Sequence, residues 1–201
     1  CSSVAFVNDQ RMAFTRFSLP VGIILSQRII LRKDTYEELG RPASISLIKH
    51  INNEDLDGGL LVKRSYSAPI DRLLQRYELG SNIKRLSLTS ANTIPMLIRN
   101  HMDYTLEYIP TTIYYEKLTM GKAGALQSIT INEVAPYTYV HVACPKNKWG
   151  RKVVRELNKV LTQIRTNAEY KRLVELDAGL DENGLKTIRD AYSYFLRGKY
   201  P

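Results

Sequence analysis

Residues that could carry out catalysis are few and scattered in this chain. It contains no GxSxG nucleophile elbow, no phosphate-binding P-loop and no GxGxxG dinucleotide motif. Its three histidines, His50, His101 and His141, are far apart in sequence, and neither CxxC nor HExxH occurs. The sequence therefore predicts no enzyme, no metal site and no cofactor.

One segment has the residue types of a binding site for an anion. An apolar stretch at 60–62 is predicted to be a strand, and Lys63-Arg64-Ser65-Tyr66-Ser67 follows it directly before a helix. Free backbone N–H groups at a helix start, two hydroxyls and a guanidinium suit a carboxylate. In the alternative interpretation, Ser67 only caps the helix and Pro69 lies in its first turn.

A second candidate is Arg11, because a guanidinium can hold a carboxylate through two parallel hydrogen bonds. Taken alone, Arg11 is one of many surface arginines.

The elements that must position these residues alternate between strand and helix. Residues 58–118 repeat strand and helix, which indicates a parallel sheet flanked by helices. Three apolar helical stripes then end the chain. We predict strands at 21–32, 60–62, 85–89, 102–108, 129–134 and 137–143. Two helices are predicted at 42–51 and 111–118. A third runs to a C-cap at Gly80, with an apolar face of Ile70, Leu73, Leu74 and Tyr77, and a fourth begins after a cap at Ser90 or Asn92 with Pro95 in its first turn.

Composition and charge narrow the classes of partner. The chain has 201 residues, 44% hydrophobic content and a formal net charge of +9, from 29 Lys and Arg against 20 Asp and Glu. The basic residues are scattered without a run of five, which argues against nucleic acid and lipid and favours solvated helix faces. No apolar stretch is long enough for a membrane span, and no signal peptide is visible at the Cys-Ser-Ser start, so we expect a processed or truncated N-terminus.

Four segments, taken in order, resemble the family-3 extracellular solute-binding proteins, which include the glutamine- and histidine-binding proteins of ABC transporters. That family carries a pattern like T-x-x-R-x-x-x-x-x-F-S-x-P-Y, and the spacing from Arg11 to Phe17-Ser18 matches it. The segments that carry the resemblance are 8–11 with 17–20, 60–67, 99–104, and 139–146 with 167–170. The chain is thus similar to a divergent branch of this family.

The resemblance implies an α/β fold of two lobes, the type 2 periplasmic-binding-protein fold, with the ligand in the cleft. Residues 22–133 would form a complete lobe 2, and residues 1–21 with 134–201 a partial lobe 1 that lacks its opening βαβ part. Hinge strands are expected near 21–25 and 134–137. The same topology places the two cysteines on neighbouring strands, so the resemblance also implies a Cys1–Cys144 disulfide.

The family's ligand contacts transfer unevenly. Arg11 falls on the position that grips the ligand carboxylate, and Ser65, Tyr66 and Ser67 fall on the turn that holds it from lobe 2, with Arg64 adding charge. The acid that binds the ligand amino group falls by count on Tyr108, with Glu107 beside it. The resemblance therefore favours a solute with a carboxylate over a standard amino acid.

The predicted function is that of a periplasmic protein that captures a small, carboxylate-bearing ligand for an ABC transporter. Its partners would be that ligand and a membrane permease or a sensor, with no nucleic acid and no insertion into a membrane. One alternative is a sensory input domain of the same fold. Two others, a basic nucleic-acid-binding domain and an enzyme on this fold, also stay open.

Overall fold

The computed structural model describes residues 1–7, 9–62, 64–76, 80–176 and 182–196. Two compact units are present: unit 1 comprises Cys1–Leu25 with Tyr137–Pro201, and unit 2 comprises Ser26–Pro136. Their correspondence to lobes at 1–21 with 134–201 and at 22–133 stays a prediction. Tyr77, Lys63 and Asn8 lie outside the described residues.

The elements alternate along the chain as the sequence pattern indicates. The strands are β1 (Ser2–Ala5), β2 (Thr15–Leu25), β3 (Arg28–Arg32), β4 (Ser44–Ile45), β5 (Gly58–Leu61), β6 (Ile83–Leu86), β7 (Tyr104–Glu107), β8 (Leu126–Ile131) and β9 (Tyr137–Pro145). The helices are α1 (Asp9–Phe14), α2 (Lys33–Glu38), α3 (Leu47–Ile51), α4 (Ala68–Arg76), α5 (Ser90–Ile98), α6 (Ile109–Met120), α7 (Lys148–Ile164), α8 (Ala168–Glu175) and α9 (Glu182–Leu196).

Unit 2 is built on a six-stranded sheet with strand order β4-β8-β3-β7-β5-β6. Strand β5 pairs in parallel with both β6 and β7, as the strand–helix repeat over 58–118 predicts. Strand β3 runs antiparallel to both β7 and β8. The sheet is therefore mixed, and its parallel part is the part that carries the candidate site.

Helices pack on both faces of this sheet because successive side chains of a strand point to opposite sides. On one face, Ile29 and Leu31 of β3 share a core with Ile70 and Leu74 of α4. On the other face, Ile30 packs with Ile94 and Leu97 of α5. Helices α4 and α5 thus lie on opposite faces.

Two predicted elements are corrected by local hydrogen bonding. The strand predicted at 21–32 is two strands, since the Ser26 N–H leaves the β2 ladder to bond the carbonyl of Pro136. The helix predicted at 42–51 is a short strand β4, paired with β8, and then α3. Helix α3 starts late because Ser46 caps it and Glu133 accepts hydrogen bonds from the Ser46 hydroxyl and the Leu47 N–H.

The start of α5 also differs from the prediction. Thr89, not Ser90 or Asn92, is the N-cap residue, and its N–H and hydroxyl both donate to the Asn92 side chain. Pro95 therefore lies inside α5 and not in its first turn. Strand β6 ends at Leu86, whereas we predicted 85–89.

Unit 1 holds a three-stranded antiparallel sheet with the order β1-β9-β2. The side chains of Tyr139 and Tyr192 pack around Phe195, which is fully buried. The predicted Cys1–Cys144 disulfide is confirmed, and it joins residues separated by 143 positions. In the chain-entropy model, a loop of this length stabilises the fold by up to about 5 kcal/mol.

None of the helices within the described ranges is long and apolar enough to cross a membrane.

Candidate functional site

Three parallel strands of unit 2 end at the same edge of the sheet, and polar residues follow each of them. Arg64 comes after β5, Ser90 comes after β6, and Glu107 is the last residue of β7. From the central strand β5 the chain crosses to β6 on one side, whereas β7 lies on the other. Open α/β sheets bind ligands outside the carboxyl ends of their strands at such a switch point, so this edge is the candidate site.

The centre of the site is the carboxylate of Glu107, whose side chain is only 1% exposed. Arg64 binds it through both terminal nitrogens, at 2.5 and 2.6 Å. The Ser90 hydroxyl donates to it at 2.5 Å, and the Tyr108 N–H donates at 2.8 Å. A buried carboxylate with four donors is fully satisfied, so Glu107 has little capacity left for another partner.

The guanidinium of Arg64 is fixed from several directions. Burial lowers its pKa, but the hydrogen bonds and the charge of Glu107 outweigh burial, so that the pKa of Arg64 is raised. The guanidinium carbon Cζ of Arg64 lies 5.4 Å from the ring centre of Tyr66 and 5.9 Å from that of Tyr108. Arg64 therefore stays charged at every physiological pH and neutralises Glu107 within the fold.

The turn that precedes α4 is organised around a second carboxylate, that of Asp71. The Ser65 hydroxyl donates to it at 2.5 Å, and the Tyr66 N–H donates at 2.8 Å. Two of the donors predicted to hold an anion are thus occupied by a side chain of the protein itself. The alternative interpretation, in which Ser67 caps α4, also agrees with the structure, because the Ser67 hydroxyl accepts a hydrogen bond from the Ile70 N–H at 3.4 Å.

Ser67 has a backbone φ of 147°. The backbone of a residue that has a Cβ is strained at this φ, whereas glycine adopts it freely. Such strain persists only where the surrounding structure imposes it. Here the Asp71 carboxylate and the start of α4 fix both ends of the turn.

A cavity of about 350 Å³ adjoins this turn on the α4 side of the sheet. Its lining includes two guanidiniums, a carboxylate, a hydroxyl and an amide: Arg64, Ser65, Tyr66, Asp71, Leu74, Gln75 and Arg85. Arg85 is exposed, and the described part of the chain offers its side chain no hydrogen bond or ion pair. Arg64 is neutralised by Glu107, so Arg85 is the cation of this cavity that has no ion-pair partner within the described residues. The carboxylate of Asp71 lines the same cavity.

Comparisons with known proteins bear on the fold. No protein-family model and no curated protein matches the chain. The chain is similar to the periplasmic binding protein XoxJ of Methylobacterium extorquens AM1, with 16% identity over 81% of this chain and 71% of that one and a TM-score of 0.52. It is also similar to an ancestral cationic amino acid solute-binding protein, with 17% identity over 85% of this chain and 65% of that one and a TM-score of 0.60. A third similar structure is a histidine kinase sensor domain with similarity to periplasmic binding proteins, with 14% identity over 88% of this chain and 68% of that one and a TM-score of 0.61.

The chain has the type 2 periplasmic-binding-protein fold. It spans 71%, 65% and 68% of the length of these three structures. Those structures are binding proteins and sensor domains.

The sequence-predicted residues are distributed over both units of this periplasmic-binding-protein fold. Arg64, Glu107 and the 65–67 turn meet at one edge of unit 2, as described above. Arg11 belongs to unit 1, where it lies on the short helix α1 and donates to the Phe6 carbonyl at 3.2 Å. Its role toward a ligand stays a prediction.

Two of the predicted ligand contacts, Tyr66 and Tyr108, have structural roles in the fold, and their contact with a ligand stays a prediction. Tyr66 is 2% exposed, and its phenol oxygen accepts the Leu61 N–H at 2.5 Å, so its side chain belongs to the core. Tyr108 is the N-cap residue of α6, and the acid at the strand end is its neighbour Glu107.

Three residues of the site were missed by sequence reasoning. Asp71 and Ser90 were read only as parts of helices, and Arg85 only as part of a strand. The spacing from Ser67 to Asp71 was the available signal for Asp71, since an acid in the first helical turn commonly bonds the preceding backbone N–H. No signal in the sequence indicates that Arg85 and Arg64 line the same cavity.

Proposed function

We propose that this chain is the ligand-binding part of an extracytoplasmic solute-binding protein. The observation that supports this best is the position of the Arg64–Glu107 cluster and its cavity, at the carboxyl ends of three parallel strands. The disulfide agrees with an oxidising compartment such as the periplasm. A cavity of about 350 Å³ is within the range that small organic ligands occupy.

The ligand we propose is a small organic anion, in the first instance a carboxylate. Arg85 supplies a guanidinium without an ion-pair partner in the described residues, and the Gln75 amide can donate beside it. The Asp71 carboxylate of the same cavity is held by the Ser65 hydroxyl and the Tyr66 N–H. The ligand does not need an amino group, because Glu107 already has a cationic partner in Arg64. This argues against a standard amino acid.

Delivery to an ABC permease is the first proposed role, and sensing is the second. The second is favoured by the likeness to the histidine kinase sensor domain, which covers 88% of this chain with a TM-score of 0.61. In either role the chain performs no chemistry, and binding changes the population of its conformations. A bound ligand that is recovered chemically unchanged, by nuclear magnetic resonance of the released material, is the result expected of both.

A thermal-shift screen tests the ligand class. Monocarboxylates, dicarboxylates, phosphates, sulfonates, amines and neutral sugars are compared at equal ionic strength. We expect a saturable stabilisation by one anion class, and about a tenfold or greater loss of affinity in Arg85→Ala, since a charge-assisted hydrogen bond contributes about 1.5–3 kcal/mol. Arg72→Ala removes a cation from the exposed side of α4 and is the matched control.

A screen without any anion hit would count against the carboxylate. Binding of an amine that is unaffected by Arg85→Ala would contradict the proposed chemistry of the cavity.

A further inference from the structure

Helix α7 of unit 1 carries five of the chain's basic residues, and its periodicity places four of them on one face. Successive helical residues are about 100° apart, so that residues spaced by three or four share a face. This face points away from the buried residues Val154 and Leu161. Its cations are Lys148, Lys152, Arg155 and Lys159, all of them exposed. Arg155 and Lys159 both pair with the exposed carboxylate of Glu156, so the positive charge is concentrated in the first half of the helix.

The charges on α7 oppose the field of the helix itself. A helix N-terminus carries a partial positive charge and favours acids, yet the first turn of α7 contains no acid. Lys148, Arg151 and Lys152 lie in its first half, and their side chains have no hydrogen bond or ion pair in the part of the chain that the structure describes. Folding alone does not favour cations here, whereas a negatively charged partner would.

Large apolar side chains lie beside the same end of α7. Trp149 is 56% exposed, Phe14 is 63% exposed and Met12 is 44% exposed. Lys146 joins them, because its N–H donates to the Phe14 carbonyl and its Nζ to the Met12 carbonyl. We give the name α7 patch to these residues together with the cations of α7: Met12, Phe14, Lys146, Lys148, Trp149, Arg151, Lys152, Arg155 and Lys159.

We propose that the α7 patch docks on the surface of a membrane that contains anionic phospholipids. Cations with an exposed tryptophan are typical of elements that lie at the membrane–water interface. Protein interfaces are depleted in lysine, whereas this patch has four lysines with Lys146 included, so a lipid surface fits it better than an acidic protein does. The docking is superficial, and the proposal stands apart from ligand binding at unit 2.

The chain supplies its own probe for this docking, since Trp149 is the one tryptophan in the sequence. The full chain is titrated with phosphatidylcholine vesicles that contain phosphatidylglycerol, and with vesicles of phosphatidylcholine alone. We expect the Trp149 emission to shift to the blue and to lose its quenching by acrylamide with the anionic vesicles only. Added salt should reverse the change, because it screens the attraction.

The variant Lys148→Gln/Arg151→Gln/Lys152→Gln tests the charges. Each cation near an anionic surface contributes about fivefold in partitioning, so the triple variant should bind about a hundredfold more weakly. The matched control is Arg72→Gln/Arg99→Gln/Lys117→Gln, which removes the same net charge from exposed positions of unit 2. Circular dichroism checks that both variants fold.

Four results would overturn the proposal. They are equal binding to neutral vesicles, no binding to either kind of vesicle, an equal loss in both triple variants, and a Trp149 emission that is already blue and protected from acrylamide in the free protein. The last result would mean that another protein segment covers the patch. Equal loss in both variants would mean that net charge alone causes the binding.

Discussion

Replacing Arg64 by alanine should destabilise unit 2 strongly. The variant leaves the Glu107 carboxylate buried at 1% exposure and removes its two charge-assisted hydrogen bonds, of 2.5 and 2.6 Å. Removing one partner of a buried ion pair costs about 3–5 kcal/mol, because the remaining charge is left uncompensated. A loss of this size is a large part of the roughly 5–15 kcal/mol that stabilises an ordinary domain.

Urea unfolding followed by circular dichroism measures this loss at neutral pH. The control is Arg41→Ala, which breaks an exposed ion pair with Glu37 and should cost less than about 1 kcal/mol. A second variant, Arg64→Met with Glu107→Leu, removes both charges and should recover most of the stability, since an apolar pair can replace a buried ion pair.

Guanidinium ion at low concentration should also stabilise Arg64→Ala by occupying the vacated place beside Glu107, and should not stabilise the wild type. The reasoning is refuted if Arg64→Ala costs no more than Arg41→Ala, or if the double replacement is less stable than Arg64→Ala alone.

Three further predictions concern stability. Burial lowers the pKa of His50 from 6.5 to about 4, so the folded state keeps this ring neutral. The free energy of unfolding should therefore be unaffected above pH 6.5 and fall by about 3 kcal/mol as the pH drops to 4. Urea titrations at acid pH should show this loss in the wild type and not in His50→Leu. Cys144→Ser, which opens the disulfide to Cys1, should lower the free energy of unfolding by about 2–5 kcal/mol, and reduction of the wild type should give the same value. Asp71→Ala should cost about 1–3 kcal/mol, because it removes two hydrogen bonds to a charged carboxylate. Acetate should restore part of this loss in a saturable way, and an acetate effect equal to that on the wild type would contradict the anion-holding role of the turn.

Local patterns made much of the fold predictable. The alternation of strands and helices over 58–118 depends on apolar spacing, and the parallel pairing of β5 with β6 and β7 follows from short crossovers. The disulfide followed from the topology that the resemblance implied. In contrast, the break between β2 and β3 depends on a hydrogen bond from Ser26 to Pro136, which is distant in sequence.

The candidate site was only partly predictable for the same reason. The turn at 65–67 follows a strand and precedes a helix, so its position could be found from neighbouring residues. The pairing of Arg64 with Glu107 spans 43 residues, and no local pattern indicates it. Several basic residues flank the turn, and only the folded sheet decides that Arg64 is neutralised while Arg85 is not.

The most direct test of ligand binding at unit 2 is a crystal structure of the protein with the anion that binds most tightly in the screen. The proposed function predicts that an oxygen of this anion lies within hydrogen-bond distance of the Arg85 guanidinium, with the Arg64–Glu107 pair intact beside it. An anion held elsewhere on the chain, or one that displaces Glu107 from Arg64, would contradict it.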